Sequence, residues 1–429
     1  MYFIKLLLTQ LLARKGQLIA AGKVLSVSVL NQVVSSGTNF ALGIYLMQML
    51  PPVEFGLYSI GFTISLFYAG IGNALFLTQM VVHTPNKEPD DRLPYAFRMF
   101  LLLTLFCIAI VLFSALILLM SSILWEFVAR YFQFAVAVIA ASITYLLKDF
   151  FVRHAYNVRR ESWALAIHGA IASSMAMLLW LQHQFVIELN MEMALWTYSF
   201  AQVSGILIGC QLVKLPAVMQ QRSILFGDLR EAWLGGKWAI INNLLFFART
   251  QAHTIVVATF LGPLGVANLN VSRLLVTPAI MLIPALGQVA MPRLATAYKA
   301  GRRCLINSCL FINFFLLLFM IFYCSILLIE YDFIKNKIFG EKYQDLFLIT
   351  IFWCLYACFL AIRIGAEMVG EILNRFKRLS WANMLTAIIS LSATYILVIF
   401  YGSPGSLIGI CVGEIVLIFL IIRILIMPI

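Results

Sequence analysis

Twelve runs of predominantly apolar sequence, each about the 20 residues a helix needs to cross a hydrocarbon core, constrain this chain more than any other feature. They fall at about 24–48, 57–81, 99–120, 127–147, 163–182 and 193–213, then at about 238–260, 266–289, 305–329, 346–366, 381–400 and 406–427. With 63% hydrophobic and only 11% charged residues, the 429-residue chain has too little polar surface to cover a water-soluble globule. The expected fold is all-α and integral to a membrane, with no soluble domain of useful size.

A net charge of +12 would suit a nucleic-acid binder, but the basic residues lie in short connectors, where they read as topology signals. One alternating set of connectors (the N-terminus, 82–98, 148–162, 214–237, 290–304, 363–380 and the C-terminal end) holds 24 of the 30 Lys and Arg residues. The opposite set holds Arg130, Lys335, Lys337 and Lys342, and Arg249 and Arg273 fall within spans. Both termini are therefore expected in the cytoplasm. At the start, Tyr2, Phe3, Leu6, Leu7 and Leu11 share a helical face while Lys5, Arg14 and Lys15 supply charge, the pattern of an interfacial helix.

The chain repeats itself. A shift of 211 residues places Asn31 on Asn242, Leu50 on Leu261, Pro52 on Pro263, Ala74 on Ala285 and Met80 on Met291, so the LPPVEFG turn lands on LGPLGVA. Six spans per half keep both copies in one orientation. The halves are then two six-helix lobes related by an axis along the membrane normal, with a central cavity between them. The expected division is an N-terminal lobe over 1–213, a linker over 214–237 and a C-terminal lobe over 238–429.

The eight cysteines include no CxxC pair and no Cys/His cluster with metal spacing, and read as small core residues. No Ser/His/Asp order or Gly-rich phosphate loop is present, so an enzyme is not expected.

The segment VLNQVVSSGTNFALGIYLMQMLPPVEFGLYSI and its second copy, WAIINNLLFFARTQAHTIVVATFLGPLGVANLNVSRLLVTPAIMLIPALGQVAMPRLA, resemble the polysaccharide (O-antigen type) flippase family of the multidrug/oligosaccharidyl-lipid/polysaccharide exporter superfamily. The resemblance implies a two-lobed transporter of the bacterial inner membrane. Its cargo would be an oligosaccharide on undecaprenyl diphosphate, carried to the outer leaflet through a cationic cavity, with polysaccharide polymerase machinery as a further partner. It implies no cofactor, and leaves proton or sodium coupling open. A drug exporter of the same superfamily is the nearer alternative, and a membrane-embedded polymerase or ligase the more distant one. Drug exporters often carry an acid in the first span, whereas the first span here carries Ser28, Asn31, Gln32, Ser35 and Asn39.

The candidate cavity residues follow from charge and spacing. An ionised guanidinium at mid-membrane depth costs roughly 2.5–3.5 kcal/mol on insertion scales, which marks Arg249 and Arg273. At ~1.5 Å per residue, Arg249, Arg273 and Glu414 fall in one layer, where two arginines against one glutamate would attract an anion. His253 shares a helical face with Arg249 and is a candidate for proton coupling. Asn31 or Gln32, Ser35 and Asn39 form a polar stripe suited either to sugar hydroxyls or to helix packing.

Overall fold

The computed structural model describes residues 2–124, 131–185, 188–213, 222–299, 301–339, 342–343, 346–373 and 375–426. The side chains of residues 2–25, Lys5, Arg14 and Lys15 among them, lie outside the described residues, as do Arg130 and the connector residues 214–221.

The first helix, α1, runs unbroken over Tyr2–Met49, so the expected interfacial segment and the first span are one helix. It ends where Pro51 adopts φ −58°, ψ 147° and Pro52 takes the first position of α2, Pro52–Gly72. A proline is tolerated at a helix start because its missing N–H would have no partner there. The helix continues through a π-helical turn, Asn73–Leu77, into Thr78–His83. Then come α3 (Arg92–Leu124), α4 (Phe132–Asn157), α5 (Glu161–Gln184) and α6 (Met191–Val213).

The second half opens with α7, Arg222–Thr250, which takes in residues 222–237 of the expected linker. Its ladder is interrupted at Gln251, whose N–H still donates to the Phe247 carbonyl at 2.8 Å. The helical stretch Ala252–Lys299 reverses at Gly262 (φ 69°, ψ −170°), so its first turns complete α7 and residues 263–299 form α8. After α9 (Arg302–Ile329) and α10 (Phe347–Ile372), Phe376–Ile426 reverses in the same way at Gly402 (φ 63°, ψ −142°) into α11, 376–401, and α12, 403–426. Both reversals need positive φ, which glycine adopts without a Cβ penalty. Gly262 is the position that the 211-residue shift aligns with Pro51, so the sequence repeat is also a repeat of helical hairpins.

The two lobes meet along α1 and α2 on one side and α7 and α8 on the other. At the face opposite the termini, α2 touches the Gly262 turn so closely that a Cβ on Gly56 would fall 1.9 Å from the Pro263 carbonyl oxygen. Towards the termini, a Cβ on Gly70 would meet Asn243 at 2.4 Å, and Gly236 packs on Leu75 of the π-helical turn. Side chains latch the same end. Arg98 donates to Asp228, both buried, while Glu231 takes His83 at 3.1 Å and Lys87 at 3.4 Å. The seam is closed at both ends, and what it encloses is small.

Candidate functional site: an inter-lobe cavity and a buried charge cluster

Between the lobes lies a cavity of about 300 Å³, walled by α1, α2 and Tyr145 of α4 on one side and by Gln251 and α8 on the other. Its polar lining includes Asn39, Tyr58, Thr63, Asn270, Arg273 and Thr277. The only charge among the described lining residues is Arg273, and no carboxylate lies within 4 Å of it among the described residues. Its guanidinium sits 5.9 Å from the centroid of the Trp353 ring. A cation over an indole face is held electrostatically while its N–H donors stay free for a ligand. Trp353 is itself fixed, since it is buried and its Nε1 donates to the Leu269 carbonyl at 3.0 Å.

His253 packs edge-on against the same Trp353, with ring centroids 5.9 Å apart, and neither ring nitrogen has a partner. The residue is 3% exposed and does not line the cavity. It forms part of the packing behind Arg273.

Arg249 takes a different position from Arg273. It faces the interior of the C-terminal lobe, lining a separate cavity of about 410 Å³ with Arg363, Glu367 and Glu371. Glu414, 1% exposed, accepts from Arg363 Nε at 2.7 Å, while Arg249 Nη1 stands 3.9 Å from its other oxygen. Arg363 also pairs with Glu367 one turn on. Two arginines therefore face Glu414 and Glu367, and the expected surplus of positive charge in one layer with Glu414 does not exist. The surplus resides at Arg273, in the inter-lobe cavity. Tyr356 packs edge-on against Trp353, with ring centroids 5.5 Å apart.

Arg363 falls among the basic connector residues by its place in the sequence, yet it is 5% exposed and central to this cluster. The same holds for Lys148, buried in α4 beside Asp149 and Tyr145. A helix that outlasts its apolar run carries end-of-span charges into the bundle. The signal was present as the i, i+4 ladder Arg363, Glu367, Glu371 at the end of the tenth apolar run.

The polar stripe of α1 divides. Asn39 is exposed to the inter-lobe cavity. Eight residues earlier, and about 80° around the helix at 100° per residue, Asn31 is buried in the N-terminal lobe. It donates to the Tyr156 hydroxyl at 2.6 Å and faces His168 Nδ1 at 2.7 Å. Gln32 bonds Ser36 within its own helix at 2.9 Å. Ser35 is half-buried and outside the cavity lining.

No family model and no curated protein matches the sequence. Solved structures do. The lipid II flippase MurJ in an inward closed conformation superposes with a TM-score of 0.71 over 92% of this chain and 87% of its own, at 13% identity. The fold is that of the MOP-superfamily transporters. An inward-facing multidrug resistance MATE family transporter of that superfamily matches at 0.70, with 13% identity over 91% of this chain and 96% of the other. The eukaryotic MATE transporter AtDTX14 gives 0.68 with 16% identity over 96% of both chains. The MOP fold accounts for the two lobes and the cavity between them, at identities where sequence alone shows little.

Proposed function

We propose that this protein is a flippase that carries an undecaprenyl-diphosphate-linked oligosaccharide repeat unit from the inner to the outer leaflet of a bacterial inner membrane, for surface polysaccharide assembly. It works by alternating access of the inter-lobe cavity. The observation that carries this reading is the polarity of the cavity, in which an unpaired guanidinium stands among amides, hydroxyls and tyrosines and no carboxylate lies among the described lining residues. A planar guanidinium donates in pairs to phosphate oxygens, and the amides of Asn39 and Asn270 can bond sugar hydroxyls.

The closed seam fits an intermediate of such a cycle. A cavity of about 300 Å³ is too small for a glycan repeat unit, so cargo entry requires the lobes to part at one end. Ligand would shift the balance between the two open states only by binding one better than the other, and Arg273 is placed to supply that difference.

A drug exporter driven by cations would be expected to use a membrane acid that changes its charge during the cycle. Glu414, the strongest such candidate in the sequence, is held by Arg363, which favours a structural part for it. The deciding experiment is complementation of a flippase-null strain. Arg273→Ala is expected to abolish surface polysaccharide at normal expression, and Arg273→Lys to retain part of it. Full surface polysaccharide with Arg273→Ala would overturn the reading. Dye efflux lost in Glu414→Gln with normal polysaccharide would favour the exporter.

A further inference from the structure

Apart from the inter-lobe cavity, a cleft of about 1300 Å³ opens at the end of the N-terminal lobe that carries the basic connectors. It lies between the end of α2, the start of α3, the end of α4 and the start of α5. Arg92, Arg153, Arg159 and Arg160 line it, against one carboxylate, Asp149. Asp149 is already engaged, by Arg153 at 2.9 Å and by Lys148 at 4.0 Å. Arg92 spends two donors on the Lys87 and Pro85 carbonyls, and Arg160 lies over the Trp163 ring at 5.1 Å. Among the described residues Arg159 has no side-chain partner and is exposed.

Two further features mark this as a built site. His154 lines the cleft, is 3% exposed, and its Nδ1 has no hydrogen-bond partner; Asn157 Nδ2, one turn on, has none either. Buried polar atoms are normally satisfied, so His154 and Asn157 leave unspent hydrogen-bonding capacity just beneath the arginine-lined wall of the cleft. The α4 helix ends with Arg159 in the left-handed region, φ 57°, where glycine is the usual residue. The chain thus places a guanidinium at a position whose backbone disfavours any side chain.

We propose that this cleft binds a phosphate-bearing anion at the basic face of the membrane, the phosphate oxygens being held by Arg159 and Arg160 above His154 and Asn157. The chemistry fits a phosphorylated lipid headgroup or a free phosphate or diphosphate. It does not depend on what crosses the inter-lobe cavity.

The test uses the full chain in zwitterionic nanodiscs, titrated calorimetrically with inorganic pyrophosphate at low salt. Arg159→Gly relieves the left-handed backbone as it removes the charge, so a loss of binding there is not a loss of folding. Each of Arg159→Gly and Arg160→Gln is expected to weaken pyrophosphate binding about tenfold, the scale of one charge-assisted contact. The same titration is repeated in an Arg273→Ala background, which removes the diphosphate contact proposed for the inter-lobe cavity; cleft binding is expected to persist there and to be weakened again by Arg159→Gly or Arg160→Gln. Competition when phosphatidic acid is built into the nanodisc assigns the site to lipid headgroups, and unaltered titration assigns it to free phosphate. Equal binding by wild type and both cleft variants, no binding of either anion, or loss of binding in Arg273→Ala alone would overturn the proposal.

Discussion

Removing Arg363 should expose how strongly the C-terminal lobe depends on its charge cluster. In Arg363→Leu, Glu414 stays 1% exposed and keeps only Arg249, at 3.9 Å, beyond hydrogen-bond reach. A charge-assisted hydrogen bond contributes about 1.5–3 kcal/mol, and breaking a buried pair by deleting one partner costs about 3–5 kcal/mol, because the remaining charge is left uncompensated. Glu367 also loses its partner, but it is more exposed and adds little. The expected loss is therefore about 3 kcal/mol, read by reversible denaturant unfolding of the protein in bicelles. The double variant Arg363→Leu/Glu414→Leu replaces the pair with apolar side chains and should recover most of that loss, giving a coupling of at least ~2 kcal/mol in a double-mutant cycle. A loss below ~1 kcal/mol for the single variant, or a double variant no more stable than the single, would refute the reasoning, since Glu414 would then be neutral or otherwise satisfied.

Gly56→Val should wedge the closed seam, because its first side-chain atom would overlap the Pro263 carbonyl; a maleimide-reactive cysteine placed at Asn270 in a cysteine-free background should label several-fold faster from the face opposite the termini. Asp228→Asn should have the converse effect, loosening the latch to Arg98 and raising labelling from the basic face. Asn31→Ala leaves the Tyr156 hydroxyl and His168 without this partner and should destabilise the fold by about 1–3 kcal/mol, measured by the same unfolding assay, while surface polysaccharide persists in cells that retain the protein. Trp353→Leu removes the ring beside Arg273, leaves a cavity and takes the donor from the Leu269 carbonyl, so it should lower stability by about 2–4 kcal/mol in the same unfolding assay and reduce polysaccharide export per molecule of protein retained.

The architecture was legible because lipid imposes one rule on every span. Apolar length sets the helices, and the 211-residue shift places the turn at Gly262 opposite Pro51. The site was legible only in part. Arg273 could be singled out as a charge inside an apolar run, but nothing in one dimension separates its surroundings from those of Arg249. Both are arginines one helix apart, and only the packing of α7 against α12 puts Glu414 beside the one and not the other. The partners that decide their chemistry, Trp353 and Arg363, lie on α10, about 80 to 115 residues further along the chain. The α1 stripe failed for a geometric reason. A four-residue repeat drifts about 40° per step around a helix, so Asn31 and Asn39 end on different sides of it.

The two glycine reversals also determine what the molecule offers to its surroundings. At Gly262 and Gly402 one helix passes into the next with no intervening loop, and α1 joins α2 through Leu50 and Pro51 alone. On that face the described chain therefore gives a protease or an antibody little extended backbone to seize, except at 188–190, since 331–339 is helical. Among the described residues, limited digestion of the purified protein should cut there first on that face, and an epitope tag meant to be read from that side belongs in the same stretch.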